Sequence, residues 1–181
     1  MKRGSFNAKT NNTRYCSRYV QGFPINLPAG DIDLYKWIME MTDADYVSYS
    51  RAHKAMGSFN NNNRFFMKNV ENIGIETLVQ RYELIYHAPN QIQFYSKEST
   101  AYIMRWFPAK VGVPWELFIE PVSENSSLLV CLIGTDFPNL LLKMAAWLSG
   151  FAGYFLSSHL SKEGQAFAKD IENKFSKRKP V

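Results

Sequence analysis

The stretch FPNLLLKMAAWLSGFAGYFLSSHLSKEGQAFAKDIENKF, Phe137 to Phe175, decides how the rest of the chain reads. Its first half carries one charge, Lys143, and between Leu140 and Leu156 only Lys143 and Ser149 interrupt the apolar surface. Its second half is amphipathic at helical spacing. A helix apolar almost all round is enclosed by other elements, or its outer face meets a partner or a membrane. At about twenty residues the segment also meets the length of a membrane span. The elements upstream decide between these.

Those elements are mostly strands. Tyr19–Asn26 alternates with Phe23 and Ile25 on one face, and Pro24 marks it as an edge or a bulge. Asp31 can cap a helix over Ile32–Met41, and a second helix runs on through His53 to Met56. Asn60–Asn63 is a turn. From Arg64 the pattern predicts six strands, Arg64–Val70, Leu78–His87, Ile92–Lys97, Tyr102–Trp106, Trp115–Glu120 and Leu128–Ile133. Short turns between them require antiparallel pairing. Leu128–Ile133, apolar on both faces, belongs near the middle of the fold. The expected class is α+β: a curved antiparallel sheet of about seven strands around a long C-terminal helix, with two short helices after the first strand.

Composition narrows the function classes. The 181 residues are 46% hydrophobic and 20% charged, which suits one globular domain over residues 18–176. The 15% aromatic content is high, and rings around a cavity would account for it. Lys2, Arg3, Lys9, Arg14, Arg18, Lys174, Lys177, Arg178 and Lys179 lie towards the two ends. These nine positive charges exceed the net +5 and leave the body at −4. That is not the organised basic face that nucleic acid requires, so no nucleic acid is expected as a partner. Residues 1–17 and 177–181 read as basic tails, the first of them disordered. The N-terminus lacks the apolar core of a secretory signal, and Cys16 and Cys131 make no disulfide framework, so a reducing, cytoplasmic location fits.

The order strand, two helices, strand meander, long helix resembles the START-like helix-grip superfamily. That group takes in START domains, birch-allergen-like proteins and polyketide cyclase/dehydrases. Local patterns support the resemblance: Leu117-Phe118-Ile119-Glu120-Pro121 before a polar turn at Ser123–Asn125, a strand ending Gly134-Thr135, and His159-Leu160-Ser161-Lys162-Glu163-Gly164 in the closing helix. It covers Tyr19 to Phe175. The apolar Leu140–Leu156 segment departs from the amphipathic closing helix usual there. The resemblance implies a mostly apolar cavity between sheet and helix, occupied by a hydrophobic small molecule.

Candidate cavity residues follow from the expected faces. Tyr82, Tyr86, Phe94, Met104, Trp106 and Trp115 fall on inner faces of successive strands, and Met144, Trp147, Phe151 and Phe155 form a helical stripe. They line a ligand or interlock as core; Tyr and Trp could orient a polar end. His53, His87 and His159 stand at no metal-ligand spacing with one another or with cysteine, so neither a metal nor another cofactor is expected. His159 reads as a core or surface histidine, with acid–base use only if it turns in beside Tyr82 or Tyr86. Phosphate loops, nucleophile elbows and cysteine clusters are absent, and no catalytic residue is singled out. The leading expectation is binding or transfer of a lipid, isoprenoid or aromatic molecule. A cyclase/dehydrase acting in the same cavity, and a membrane-associated or dimerising protein using the apolar helix face, are the alternatives.

Overall fold

The protein is described by a computed structural model over residues 15–177, without the side chains of Phe151 and Ala152. Most of the two expected basic tails, and the side chain of Phe151, lie outside the described residues.

Seven strands form one antiparallel sheet: β1 (Cys16–Ile25), β2 (His53–Asn61), β3 (Arg64–Ile73), β4 (Glu76–Ala88), β5 (Gln91–Ile103), β6 (Phe107–Ser123) and β7 (Ser126–Asp136). Their order across the sheet is β1-β7-β6-β5-β4-β3-β2. The meander from β2 to β7 uses short turns, and β1 pairs with β7 from Cys16↔Asp136 to Ile25↔Ser127. The doubly apolar β7 lies between β1 and β6, second from the sheet edge and not at its middle. Two short helices, α1 (Leu34–Met39) and α2 (Asp43–Tyr49), carry the chain from one sheet edge to the other. Asp33, not Asp31, caps α1 by accepting from the Lys36 N–H at 2.9 Å, and Thr42 and Asp45 form a capping box on α2.

The expected second helix stops early. The α2 helix ends at Tyr49, and His53 opens β2, an edge strand exposed along most of its length. Asn62 and Asn63, with φ of 48° and 58°, make the left-handed turn into β3. A strand thus stands where helix was expected, because its apolar residues are too sparse to separate the two periodicities. The expected separate strands around Ile92–Lys97 and Tyr102–Trp106 differ as well. Residues 91–103 form one strand, and Met104 and Arg105, at φ 50° and 67°, turn the chain into β6.

The C-terminal segment is broken. Helix α3 (Leu140–Leu148) is capped by Asn139, which accepts from the Leu142 N–H at 2.9 Å. It ends at Gly150, whose φ of 77° stops it without Cβ strain. A π-type turn over Phe151–Phe155 follows, with the Phe155 N–H reaching the Gly150 carbonyl at 3.1 Å, and α4 (Leu156–Ser176) runs on from it. The limbs Leu140–Leu148 and Gly153–Ser176 meet at 71°. Among the described residues no single helix is long and apolar enough to cross a membrane.

The concave side of the sheet grips α4. Leu160, Phe167, Ala168, Ile171 and Phe175 are buried with Phe23, Trp115, Leu129 and Ile133. Phe167 meets Trp37 edge-on at 5.2 Å and Tyr49 at 5.0 Å, which locks α1 and α2 onto α4. Asp170 accepts from Trp37 Nε1 and from the Tyr49 hydroxyl, both at 2.8 Å, so the two rings' polar atoms are satisfied at the same contact.

Candidate functional site

Small side chains leave room where α3 lies over the sheet. Ala101 on β5, with Ala109 and Val111 on β6, faces Leu142 and Ala146 on α3 around a small pocket with about 20 Å³ of free volume. The polar groups lining it are Glu76 and Ser149. Glu76 opens β4 directly after the Gly74 turn and is buried, with neither carboxyl oxygen in hydrogen-bond geometry to a donor. The Ser149 hydroxyl donates to the Ala146 carbonyl at 3.1 Å. Burial pushes the Glu76 carboxyl above its ordinary value, with Ser149 pulling the other way. With α3 displaced, its apolar walls would face a ligand body and Glu76 would offer one carboxyl group at the polar end.

The outer face of α3 is bare. Leu141, Trp147 and Leu148 are 78%, 70% and 75% exposed, and Leu140 and Met144 are exposed beside them. The β5–β6 turn, whose flanks line the same pocket, carries the exposed Trp106 (82%) and Phe107. The expectation that Leu140–Leu156 is either enclosed or turned to a partner thus divides by face: Ala146 and Leu156 are buried and Leu142 half-buried, while Leu140, Leu141, Met144, Trp147 and Leu148 point out.

The expected cavity residues separate into three groups. Tyr82, Phe94 and Trp115 do face inward, but they stack on one another at 5.3–6.0 Å and on Phe167, as packed core. Phe155 is partly buried at the edge of that core. Tyr86, Met104 and Trp106 do not face inward. One extra residue in β4, between the pairs Leu84↔Phe94 and Tyr86↔Gln93, puts Tyr86 out of phase and exposes it. Met104 and Trp106 are turn residues, and Met144 and Trp147 lie on the outward face of α3.

A second group was not anticipated from the sequence. His53 at the start of β2, Glu71 on β3, and His159 and Glu163 one turn apart on α4 are all buried, and one donor atom from each lies within 4.8 Å of the others. His53 Nε2 is 3.3 Å from Glu163 Oε1; His159 Nε2 is 3.5 Å from Glu71 Oε2 and 3.6 Å from Glu163 Oε2. The Tyr46 hydroxyl donates to Glu71 Oε1, and Gln80 Nε2 donates to Glu71 Oε2 at 3.3 Å. The Tyr46 ring stacks on His53 at 3.9 Å. Burial alone would pull His159 down, but Glu163 and Glu71 outweigh it and hold the ring up at about 9. Burial would likewise raise Glu71, yet His159, then His53 and Tyr46, hold it down to about 2. His53 is raised in the same manner by Glu163, against the opposing effect of its burial.

Part of this group had a signal in the sequence. In β3, Phe65, Met67, Asn69, Glu71 and Ile73 alternate inward, so extending that strand past Val70 places Glu71 on the core face. His159 and Glu163 share a helix face at i, i+4. His53 had none, because its strand was read as helix.

No protein-family model matches the chain, and no curated protein matches it. Solved structures match its fold. A START superfamily protein from Mycobacterium smegmatis superposes with a TM-score of 0.54 at 15% identity, covering 87% of this chain and 99% of that one. The Zhui aromatase/cyclase from Streptomyces sp. R1128 matches with a TM-score of 0.55 at 11% identity, over 90% of this chain and 95% of its own. Truncated norcoclaurine synthase from Thalictrum flavum gives 0.56 at 9% identity, over 86% and 93%. The chain has the START-like helix-grip fold. At these identities the likeness carries the fold and no activity.

Proposed function

We propose that this START-like helix-grip chain binds a hydrophobic small molecule between α3 and the sheet, with α3 as the lid over it. The carrying observation is the apolar gap under α3, walled by Ala101 and Ala109 on the sheet and Ala146 on the helix, with Glu76 at its polar end. Its free volume of about 20 Å³ has room for roughly one water, so an organic ligand enters by displacing α3. The Gly150 break supplies a hinge at which α3 swings without disturbing α4. Removing apolar ligand surface from water supplies affinity at roughly 25 cal/mol per Å² before binding costs are subtracted. Glu76, held towards its neutral form by burial, hydrogen-bonds a single polar end, so the ligand is a lipid, isoprenoid or aromatic molecule carrying one hydroxyl or carbonyl. The free thiols of Cys16 and Cys131 accord with a cytoplasmic setting.

Native mass spectrometry of the purified protein, followed by organic extraction, tests this. A discrete added mass is expected, and Ala146→Trp, which fills the pocket from the lid side, should lose it while keeping the wild-type circular dichroism. A wild-type protein that carries no mass and takes up no long-chain alcohol or fatty acid would overturn the reading, as would a folded Trp variant that keeps its load.

The same carboxyl favours a second reading, a cyclase/dehydrase type of catalyst in which Glu76 moves a proton. Glu76→Gln separates the two. A carrier variant extracts with the same molecule as wild type, whereas a catalyst variant accumulates unconverted substrate.

A further inference from the structure

We propose that His53, Glu71, His159 and Glu163 bind one first-row divalent metal ion of the zinc class, and that the ion clamps α4 onto β2 and β3. The site is separate from the pocket under α3 and does not rest on the reading of that pocket.

Spacing is the first argument. A tetrahedral ion with bonds of about 2.0–2.1 Å holds its donor atoms about 3.3 Å apart. Three of the nitrogen–oxygen separations are 3.3, 3.5 and 3.6 Å, the first and last to different oxygens of Glu163, and one donor atom from each of the four residues lies within 4.8 Å of the others. Two imidazoles and two carboxylates make an N₂O₂ donor set, which suits zinc and its neighbours rather than calcium or magnesium.

The second argument is how the rings are held. His53 Nδ1 lies 2.6 Å from the Tyr46 carbonyl oxygen, and only an Nδ1–H makes that a hydrogen bond. In the neutral ring Nε2 then presents its lone pair to the cluster. Backbone-carbonyl tethering of the distal nitrogen is how metal-ligating histidines are oriented. Glu71 has the matching support, from the Tyr46 hydroxyl and Gln80.

The third argument concerns charge. Among the described residues, the ion pairs of Glu71 and Glu163 are to these two histidines alone. Two carboxylates this deeply buried need a cation. Two imidazolium rings could supply it, and their Nε2–H groups would then point at carboxylate oxygens. Both Nε2 atoms are buried 3.3–3.6 Å from carboxylate oxygens and outside hydrogen-bond geometry, so a metal ion there would take the place of the protons that the carboxylates otherwise hold on the rings. Four buried donor atoms within 4.8 Å of one another, from two imidazoles and two carboxylates, are a set that a metal ion satisfies.

Because the donors are buried, the test refolds the full chain from denaturant in the presence of Co²⁺. Expected are one Co²⁺ per chain, the intense visible absorption of a tetrahedral ion, and two paramagnetically shifted imidazole N–H resonances, one per histidine. His159→Gln and Glu163→Gln should each weaken Co²⁺ binding by about 100-fold or more while keeping the wild-type circular dichroism. If a variant does not fold, the two shifted resonances of the wild-type protein decide. Substoichiometric binding, an ion bound without shifted imidazole signals, or folded variants that bind as tightly as wild type would each overturn the proposal.

Discussion

Glu76 is the residue at which stability and ligand binding meet. Its carboxyl is buried, and burial raises its pKa from 4.5 against the opposing pull of Ser149 and the nearby backbone. The folded state therefore holds a proton that the unfolded state gives up more readily. The resulting stability is complete below the unfolded value of 4.5 and is lost as pH rises through the higher folded value. Glu76→Gln cannot ionise, so its melting temperature should exceed that of the wild type at neutral pH, and the gap should close on acidification below pH 4.5. Each kcal/mol of difference is worth roughly 2–4 °C in a chain of this size. A gap that stays constant with pH would mean that burial of the acid is not what sets the difference.

Among the elements, α4 is fixed by close approach and α3 by little more than its pocket face. Gly164 lies where α4 crosses β1, and a Cβ there would overlap the ring of the buried Phe23. Gly164→Ala gains helix propensity of about 1 kcal/mol but must displace a packed ring. Overpacking of that kind costs about 1–3 kcal/mol, so a net loss of stability is expected in urea denaturation. A net gain would place α4 further from β1. By contrast α3 sets one buried alanine against the sheet and is hinged at Gly150, so it can open while α4 stays seated.

For the molecule as a whole, the question is what meets the bare face of α3. Lys143 sits among Leu140, Met144, Trp147 and Leu148, and the exposed Arg105, Trp106 and Phe107 lie between Ile103 and Ala109, which line the pocket under α3. Large apolar side chains interspersed with basic ones match the interface of an anionic bilayer. Of the nine positive charges towards the chain ends, Arg18 pairs with Asp136 and Lys174 with Asp45 and Asp170, so those two serve the fold. We propose that the lid face rests on the membrane from which a hydrophobic ligand is taken. Replacing Leu141, Trp147 and Leu148 with serine together should abolish co-sedimentation with anionic vesicles and leave the melting temperature within about 2 °C. A wild-type dimer in sedimentation velocity that the triple variant turns into a monomer would instead assign the face to self-association.

The sequence by itself determined the class: alternation and turn spacing required an antiparallel sheet, and the closing helix was the one element able to cover it. Tyr82, Phe94 and Trp115 point inward because the period-2 pattern holds without interruption up to them. Beyond the β4 bulge that pattern fails, and at Met104–Trp106 a left-handed turn has the same hydrophobicity as a strand. The break at Gly150 was also hidden, since an apolar run does not record direction. The buried polar groups were the least legible. His53, Glu71 and His159–Glu163 stand far apart in the chain, and each alone reads as an ordinary surface or core residue. Only the sheet order, which brings β2 and β3 beneath α4, gathers them in one place, where burial makes their charges depend on one another.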